Sequence, residues 1–296
     1  MADATRHAGA GFSNPRPWMH DGKSFGGSRV FNLCRRVSVY GVLTAAVVLS
    51  AAPASAILVQ PVQIRMTSTG GQSSAAITVI NDRNRPDTIE IGVSKLSLPQ
   101  QGGAEITKDD GSQFLIFPPV ATIEPGKTQV FRIRWVGDPV LPTAQSFMFT
   151  TGELPVNQAE GSGVQLVYAI QSLVTVSSPG LTPAVTVSAV ARTDKKIDAA
   201  PSKDGSDAKP AEVAHGIMVT FENGGNDVAF LSDYSMKLET AGPNAWSRSL
   251  TNADVSTFVG LGLLTPNSKR DIFLPIGDVP ATGDVKITLK QEKNKR

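Results

Sequence analysis

Phe114-Leu115-Ile116-Phe117-Pro118-Pro119, followed by Glu124-Pro125-Gly126-Lys127-Thr128-Gln129-Val130-Phe131-Arg132-Ile133-Arg134-Trp135-Val136, carries the clearest strand and turn signals in the chain. A short apolar run stops at a Pro-Pro pair, because proline cannot donate to a strand ladder. A Pro-Gly turn then sends the chain into Thr128–Val136, where Val130, Ile133 and Trp135 are apolar and Arg132 and Arg134 alternate. Alternation of this kind marks a half-buried strand. Upstream, Ala75–Ile80 leads into the turn residues Asn81-Asp82-Arg83-Asn84-Arg85-Pro86, and the β-branched run Thr88–Leu98 ends at Pro99. Lys108-Asp109-Asp110-Gly111 is a turn, and Gln145–Thr151 and Val164–Val176 are further strand candidates. No segment holds a helical period over several turns, while Pro and Gly interrupt the chain at short intervals. That is the pattern of a β-sandwich.

A second set of strand candidates follows Ser177-Ser178-Pro179-Gly180: Ala184–Ala191, Gly216–Phe221, Phe230–Leu238, Asp271–Leu274 and Val285–Leu289. Between the first two, Arg192–Ala214 is rich in Lys, Asp, Ala, Ser and Pro and is expected to form a mobile hairpin loop, since it lacks apolar surface to order itself. Asp204-Gly205-Ser206-Asp207 lacks the remaining carboxylates of a calcium loop. The expected organisation is all-β, with a leader over 1–56 and sandwich domains over 57–179 and 180–296.

The chain has 296 residues, 41% hydrophobic and 18% charged, which is globular composition long enough for two domains after a leader. Aromatics are only 6%, so Val, Ile, Leu and Ala must supply most of the core. The formal charge of +2 comes from the leader, where Arg6, Arg16, Lys23, Arg29, Arg35 and Arg36 face only Asp3 and Asp21. From Ile57 onward the chain is slightly acidic. A basic nucleic-acid footprint is absent there.

Arg35-Arg36 precedes the apolar run Val37–Ala52, which ends in Pro53-Ala54-Ser55-Ala56. A basic flank, a short apolar core and an A-x-A ending read as a secretory signal cleaved after Ala56. An uncleaved membrane anchor is the alternative, but the run is short against a span of about 20 residues and is followed by Pro53. A start at Met19 would give a more ordinary basic region ahead of it. The only cysteine, Cys34, leaves with the leader, so no disulfide is expected. His7 and His20 leave too, and His215 is expected in a solvated loop. A zinc site and a His-based triad each need imidazoles this chain lacks. Phosphate-cradling, zincin and nucleophile-elbow motifs are all missing. No catalytic residue, cofactor site or metal site is expected.

The ordered set Phe117-Pro118-Pro119, Glu124 to Ile133, Gln145-Ser146-Phe147 and Glu153-Leu154-Pro155, with Asn81-Asp82 after a strand, resembles the first domain of the periplasmic pilus (fimbrial) chaperones, the PapD-like family. Tyr168-Ala169-Ile170 through Val176 to Pro179 is closest to its archaic branch, and Phe221 to Asn226 is similar to the Asn-rich strand end of its second domain. The resemblance implies two immunoglobulin-like sandwiches set at an angle, with a cleft between them. It implies a periplasmic protein that lends an edge strand to fibre subunits lacking their own last strand and delivers them to an outer-membrane usher, without ATP. The lending strand would be Val164–Val176. Val164, Leu166, Tyr168 and Ile170 share one face and form the more apolar donor set; Gln165, Val167, Ala169 and Gln171 share the other. A single bulge would exchange the two faces. Glu153–Gly163 would be the flexible loop before it.

The resemblance also implies an Arg from the first strand and a Lys from the lending strand that hold the subunit's terminal carboxylate. The Arg falls on Arg65. The Lys position falls on Val174, or on Ser172 with a small shift, so half of the anchor is missing. The family's interdomain ionic contact is also missing, with Gln145 in place of an acid and Ser178 in place of an Arg. Two other readings stay open. One is a two-domain adhesion or binding module without subunits. The other is a hydrolase on a sandwich scaffold, against which the shortage of His and paired carboxylates argues.

Overall fold

A computed structural model describes residues 56–101, 103–154, 168–197, 212–242 and 245–292, all within one compact unit running from Ser55 to Arg296. The expected leader, the positions Val164 and Leu166, and the Asp204–Asp207 segment lie outside the described residues.

The first half contains β1 (Ile57–Gln60), β2 (Gln63–Thr67), β3 (Ser74–Asn81), β4 (Asp87–Ser97), β5 (Glu105–Lys108), β6 (Phe114–Phe117), β7 (Val120–Ile123), β8 (Thr128–Trp135), β9 (Gln145–Glu153) and β10 (Ala169–Ser177). They form a four-stranded sheet ordered β1-β3-β8-β6 and a six-stranded sheet ordered β2-β10-β9-β4-β5, with β7 also on β4. Two facing sheets of this kind bury one alternating face of each strand. Along β8 the inward residues are Phe131, Ile133 and Trp135, while Arg132 and Arg134 face out. Glu124-Pro125-Gly126-Lys127 closes with Lys127 N–H donating to Glu124 O at 3.0 Å, and Gly126 takes φ +69°. Only glycine adopts that backbone without strain, which is why Pro-Gly turns the chain here. Phe114 sits edge-on to Trp135, Phe147 and Phe149 at 4.9–5.1 Å, a compact aromatic centre for a chain poor in aromatics.

The second half contains β11 (Val185–Ile197), β12 (Glu212–Asn223), β13 (Ala229–Phe230), β14 (Tyr234–Thr240), β15 (Trp246–Leu250), the helix α1 (Asn252–Val259), β16 (Leu263–Leu264), β17 (Ser268–Leu274) and β18 (Val285–Gln291). Strands β11-β12-β17 form one sheet, β15-β14-β18 another, and β13 pairs with β16. Their core is separate from the first and is centred on Phe221, Ile217, Leu231, Leu238 and Leu264. The architecture is thus all-β, two immunoglobulin-like sandwiches in one chain.

Three expectations need correction. The expected loop over Arg192–Ala214 is strand at both ends: β11 and β12 stay paired from Thr193↔Gly216 out to Ile197↔Glu212. Main-chain ladder bonds do not need apolar side chains, so the polar composition hid these residues from a hydrophobicity argument. His215 accordingly lies on a strand and not in a loop, exposed, with Nδ1 2.7 Å from Asp194 Oδ1. Helix α1 was not foreseen, because two turns are too short to show a period. Its start is nonetheless written in the sequence as a capping box, with Thr251 and Asp254 each bonding the other's backbone N–H.

A small apolar cluster joins the two sandwiches: Leu96 and Leu98 at the end of β4, Leu173 of β10, Phe230 of β13 and Leu263 of β16. Ala144 N–H donates to Asn226 O and Asp271 N–H to Gln100 O across the same junction.

Candidate functional site: the interdomain cleft and the edge of β10

Strand β10 lies between β9 and β2. It pairs antiparallel with β9 over Ala169–Val176, but parallel with β2 only over Leu173–Ser177. Leu173 donates its N–H to Val62 O at 2.9 Å. Main-chain groups two residues apart point to the same side of a strand, so the N–H and C=O of Ala169 and Gln171 point the same way, beyond the end of β2. That leaves an open main-chain edge over Ala169–Gln171 among the described residues.

Ile170 packs against the first core, as do Val174 and Val176 further along the same face. Tyr168 shares this face, is exposed, and lies under the guanidinium of Arg83 at 4.4 Å from ring centroid to Cζ. An incoming strand on the open edge would therefore extend the same apolar layer that forms the sandwich's own core. Gln171 is exposed on the opposite face.

A charge network ties the turn after β3 to the start of β4 and the end of β9. Arg83 Nη1 donates to Asp87 Oδ1 at 3.2 Å and to Glu153 Oε2 at 3.0 Å, and Arg85 bonds both carboxylates. Burial pushes the Asp87 carboxyl up despite Arg83 and Arg85. Burial would push Glu153 up too, but hydrogen bonds from Arg85 and Arg83 override it and hold Glu153 below the usual range. Arg83 Nη2 and Asp87 Oδ2 are buried without a partner among the described residues.

Arg65 of β2 lines a cavity of about 320 Å³ between the sandwiches, together with Thr175, Ser177, Asp227, Phe230 and Asp233. Its guanidinium stacks on the Phe230 ring at 3.9 Å and donates through Nη1 to Asp233 Oδ2 at 2.7 Å and through Nη2 to Asp233 Oδ1 at 3.2 Å. This two-pronged bond is an ionic contact across the domains, made by residues other than the expected pair. Ser178 instead bonds Ser68 Oγ at 2.8 Å and accepts from Leu141 N–H at 2.7 Å, while Gln145 Oε1 is buried without a partner among the described residues. Val174 and Ser172 are both fully buried and do not line the cleft; β10 presents Thr175 and Ser177 there. The two positions to which the resemblance assigned the lysine thus face the core. Burial pushes Asp227 up, against hydrogen bonds from Ser177 and the Val228 N–H and the charge of Arg65. Asp233 and Phe230 escaped the sequence reading because they meet Arg65 only through the fold, across 168 and 165 positions in the chain. Among the described residues no group of three or more His, Cys, Asp or Glu side chains could hold a metal ion.

Residues 58–177 match the family model described as "Pili and flagellar-assembly chaperone, PapD N-terminal domain". No curated protein matches the sequence. Among solved structures, the class 5 fimbriae chaperone CfaA is 9% identical with a TM-score of 0.50, covering 81% of this chain and 95% of its own. A chain of the chaperone–tip adhesin complex of CFA/I fimbriae biogenesis is 10% identical with a TM-score of 0.47, covering 79% and 98%. A chain of the CsuC–CsuE pre-assembly complex from the archaic Csu pili of Acinetobacter baumannii is 13% identical with a TM-score of 0.42, covering 73% and 89%. Residues 58–177 thus match the PapD N-terminal domain model of pili and flagellar-assembly chaperones, and the chain is similar in fold to the fimbriae chaperone CfaA.

Proposed function

We propose that the protein is a periplasmic chaperone that captures pilin-type fibre subunits by lending them the open edge of β10, and hands them to an outer-membrane usher. The open edge over Ala169–Gln171 among the described residues, beside a face continuous with the first core, is the observation that carries the reading. An exposed edge is normally an aggregation hazard, and a partner that needs a strand gives it a use. Tyr168 and Ile170 belong to the donor set together with Val164 and Leu166. Each large apolar donor that is fully buried contributes roughly 1.5–3 kcal/mol. Arg65 anchors the subunit's terminal carboxylate in the cleft. Export after cleavage at Ala56 and delivery to the usher rest on the leader and on the resemblance. No step needs a nucleotide or a cofactor, since the subunit's own folding energy drives release.

The test is a pull-down of tagged protein from native periplasm, read by mass spectrometry, for wild type, Arg65→Ala and Arg65→Lys. Wild type is expected to retain a small sandwich-type subunit. Arg65→Ala should retain about tenfold less or lower, as loss of a charge-assisted bond of roughly 1.5–3 kcal/mol requires. Equal retention by Arg65→Ala would remove the anchor but keep the chaperone. No subunit in any sample, with fibre genes expressed, would favour the binding-module reading.

A further inference from the structure

The open main-chain edge of β10 is held at both of its ends. At the C-terminal end β2 takes over, with Leu173 N–H on Val62 O at 2.9 Å. At the N-terminal end stands Tyr168, the residue before β10, which is fixed at two points. Its carbonyl accepts from Glu153 N–H at 3.3 Å, and its ring lies on the Arg83 guanidinium at 4.4 Å. The Glu153 carboxylate in turn takes Arg83 Nη1 at 3.0 Å. Glu153 thus holds Tyr168 twice, directly through main chain and indirectly through Arg83. Nη1 of Arg83 serves both Asp87 and Glu153, while Nη2 is buried without a partner among the described residues. The guanidinium is therefore set by one prong and by the ring against its face. Arg85 bonds the same two carboxylates, so Arg83 is not the only cation they have. What Arg83 adds is the aromatic ring that it carries.

We infer that Arg83 is a positioning residue for subunit capture: through the Tyr168 ring it holds the start of the open edge extended before any subunit arrives. The inference rests on the lending role of β10 proposed above. Tyr168 is 42% exposed, so part of its ring stays open to a partner while Arg83 supports it. A cation over a ring is worth more where the cation is out of water, and Arg83 is only 8% exposed. Without the stack, Tyr168 is tied to β9 by one long main-chain bond at the end of the ladder, and the edge frays from that end. An incoming subunit then has to order Tyr168 and the residues after it as it binds. That cost is subtracted from capture, whereas a strand already in place avoids it.

The experiment uses full chain purified after export. Tyr168→Phe, which keeps a ring for Arg83, and Tyr168→Leu, which keeps only an apolar side chain, carry different tags. They compete in one native periplasmic extract, beside a wild-type control, and mass spectrometry reads the ratio of subunit captured on each. Tyr168→Phe is expected to hold about fivefold more than Tyr168→Leu. With Arg83→Lys added to both, the charge stays but the planar fork is lost, and the preference should fall below about twofold. Amide exchange at Glu153 in the free proteins should be about fivefold faster in Tyr168→Leu than in Tyr168→Phe, an effect that a mere donor side chain would not produce. An undiminished preference in the Arg83→Lys pair would overturn the inference, because the ring would then act without Arg83. Equal exchange at Glu153 in the two free proteins would overturn it as well, and that comparison needs no Arg83 variant to fold. Equal capture by Tyr168→Phe and Tyr168→Leu would sink the inference and leave the chaperone standing. No subunit on wild type, with fibre genes expressed, would remove the chaperone reading and the inference together.

Discussion

Asn81 and Asn223 do the same work in the two sandwiches. Asn81 donates from Nδ2 to Arg85 O and Ile123 O at 2.8 Å and accepts from Arg83 N–H at 3.0 Å. Asn223 donates to Asp227 O at 2.8 Å and accepts from Gly225 N–H at 3.1 Å and Ala184 N–H at 3.0 Å. Both are fully buried at a strand end, each tying down the turn that follows. Gly225 is required beside Asn223, because a Cβ there would lie 2.3 Å from Thr182 O. In the first sandwich this turn also carries Arg83 and Arg85 to Glu153. Glu153 is held below the usual carboxylate range, so its ionised form stabilises the fold above the ordinary value of about 4.3 and that stabilisation is lost as pH falls through the lowered one. Asp87 is pushed up, so its effect runs the other way: its protonated form is favoured in the fold, and its cost grows as pH rises through the raised value. Glu153→Gln is therefore expected to cost about 3–5 kcal/mol at pH 7, the usual loss when one member of a buried pair is removed. In thermal melts across pH, the gap to wild type should narrow as pH drops below about 4. A gap independent of pH would show that charge is not what Glu153 contributes.

At the scale of the element, β10 is a strand with two different edges. Even-numbered main-chain groups serve β9, as when Glu153 N–H bonds Tyr168 O, and odd-numbered ones serve β2 as far as Leu173. Proline at Gln171 would thus remove a donor that neither neighbour uses, and proline is tolerated on an edge. Gln171→Pro is expected to keep a melting temperature close to wild type while losing subunit capture in the pull-down. Retained capture would mean that β10 is not lent through this edge. The existence of this strand was legible from the apolar run ending at Pro179, but its free edge was not, since sequence does not reveal where a neighbouring strand stops. Likewise the alternation in Thr128–Trp135 was readable because one face is core and the other water. The polar ends of β11 and β12 were not, because their pairing rests on main chain alone.

For the whole molecule, the junction depends on a few side chains. Phe230 packs with Leu96, Leu98, Leu173 and Leu263 and carries the Arg65 guanidinium on its face. Truncating such a residue removes roughly 3–5 kcal/mol of packing and unseats Arg65 as well. Calorimetry is expected to show one cooperative transition for wild type and two for Phe230→Ala, because each sandwich keeps its own core. Subunit capture should fall as the cleft loses its fixed geometry. A single shifted transition would mean that the junction rests on the backbone bonds at Ala144 and Asp271 more than on this cluster.

The all-β architecture is legible in the sequence, because period-two alternation, Pro-Gly turns and missing helical periods are local consequences of which face meets water. The sequence also carried the ordered motifs that mark the first domain. The chemistry of the cleft, by contrast, emerges from contacts between distant parts of the chain. Arg65 could be numbered from sequence, but its partner Asp233, its platform Phe230 and the choice of Thr175 over Val174 all depend on distant strands and on the phase of a pleat. A shift of one residue there exchanges core for cleft.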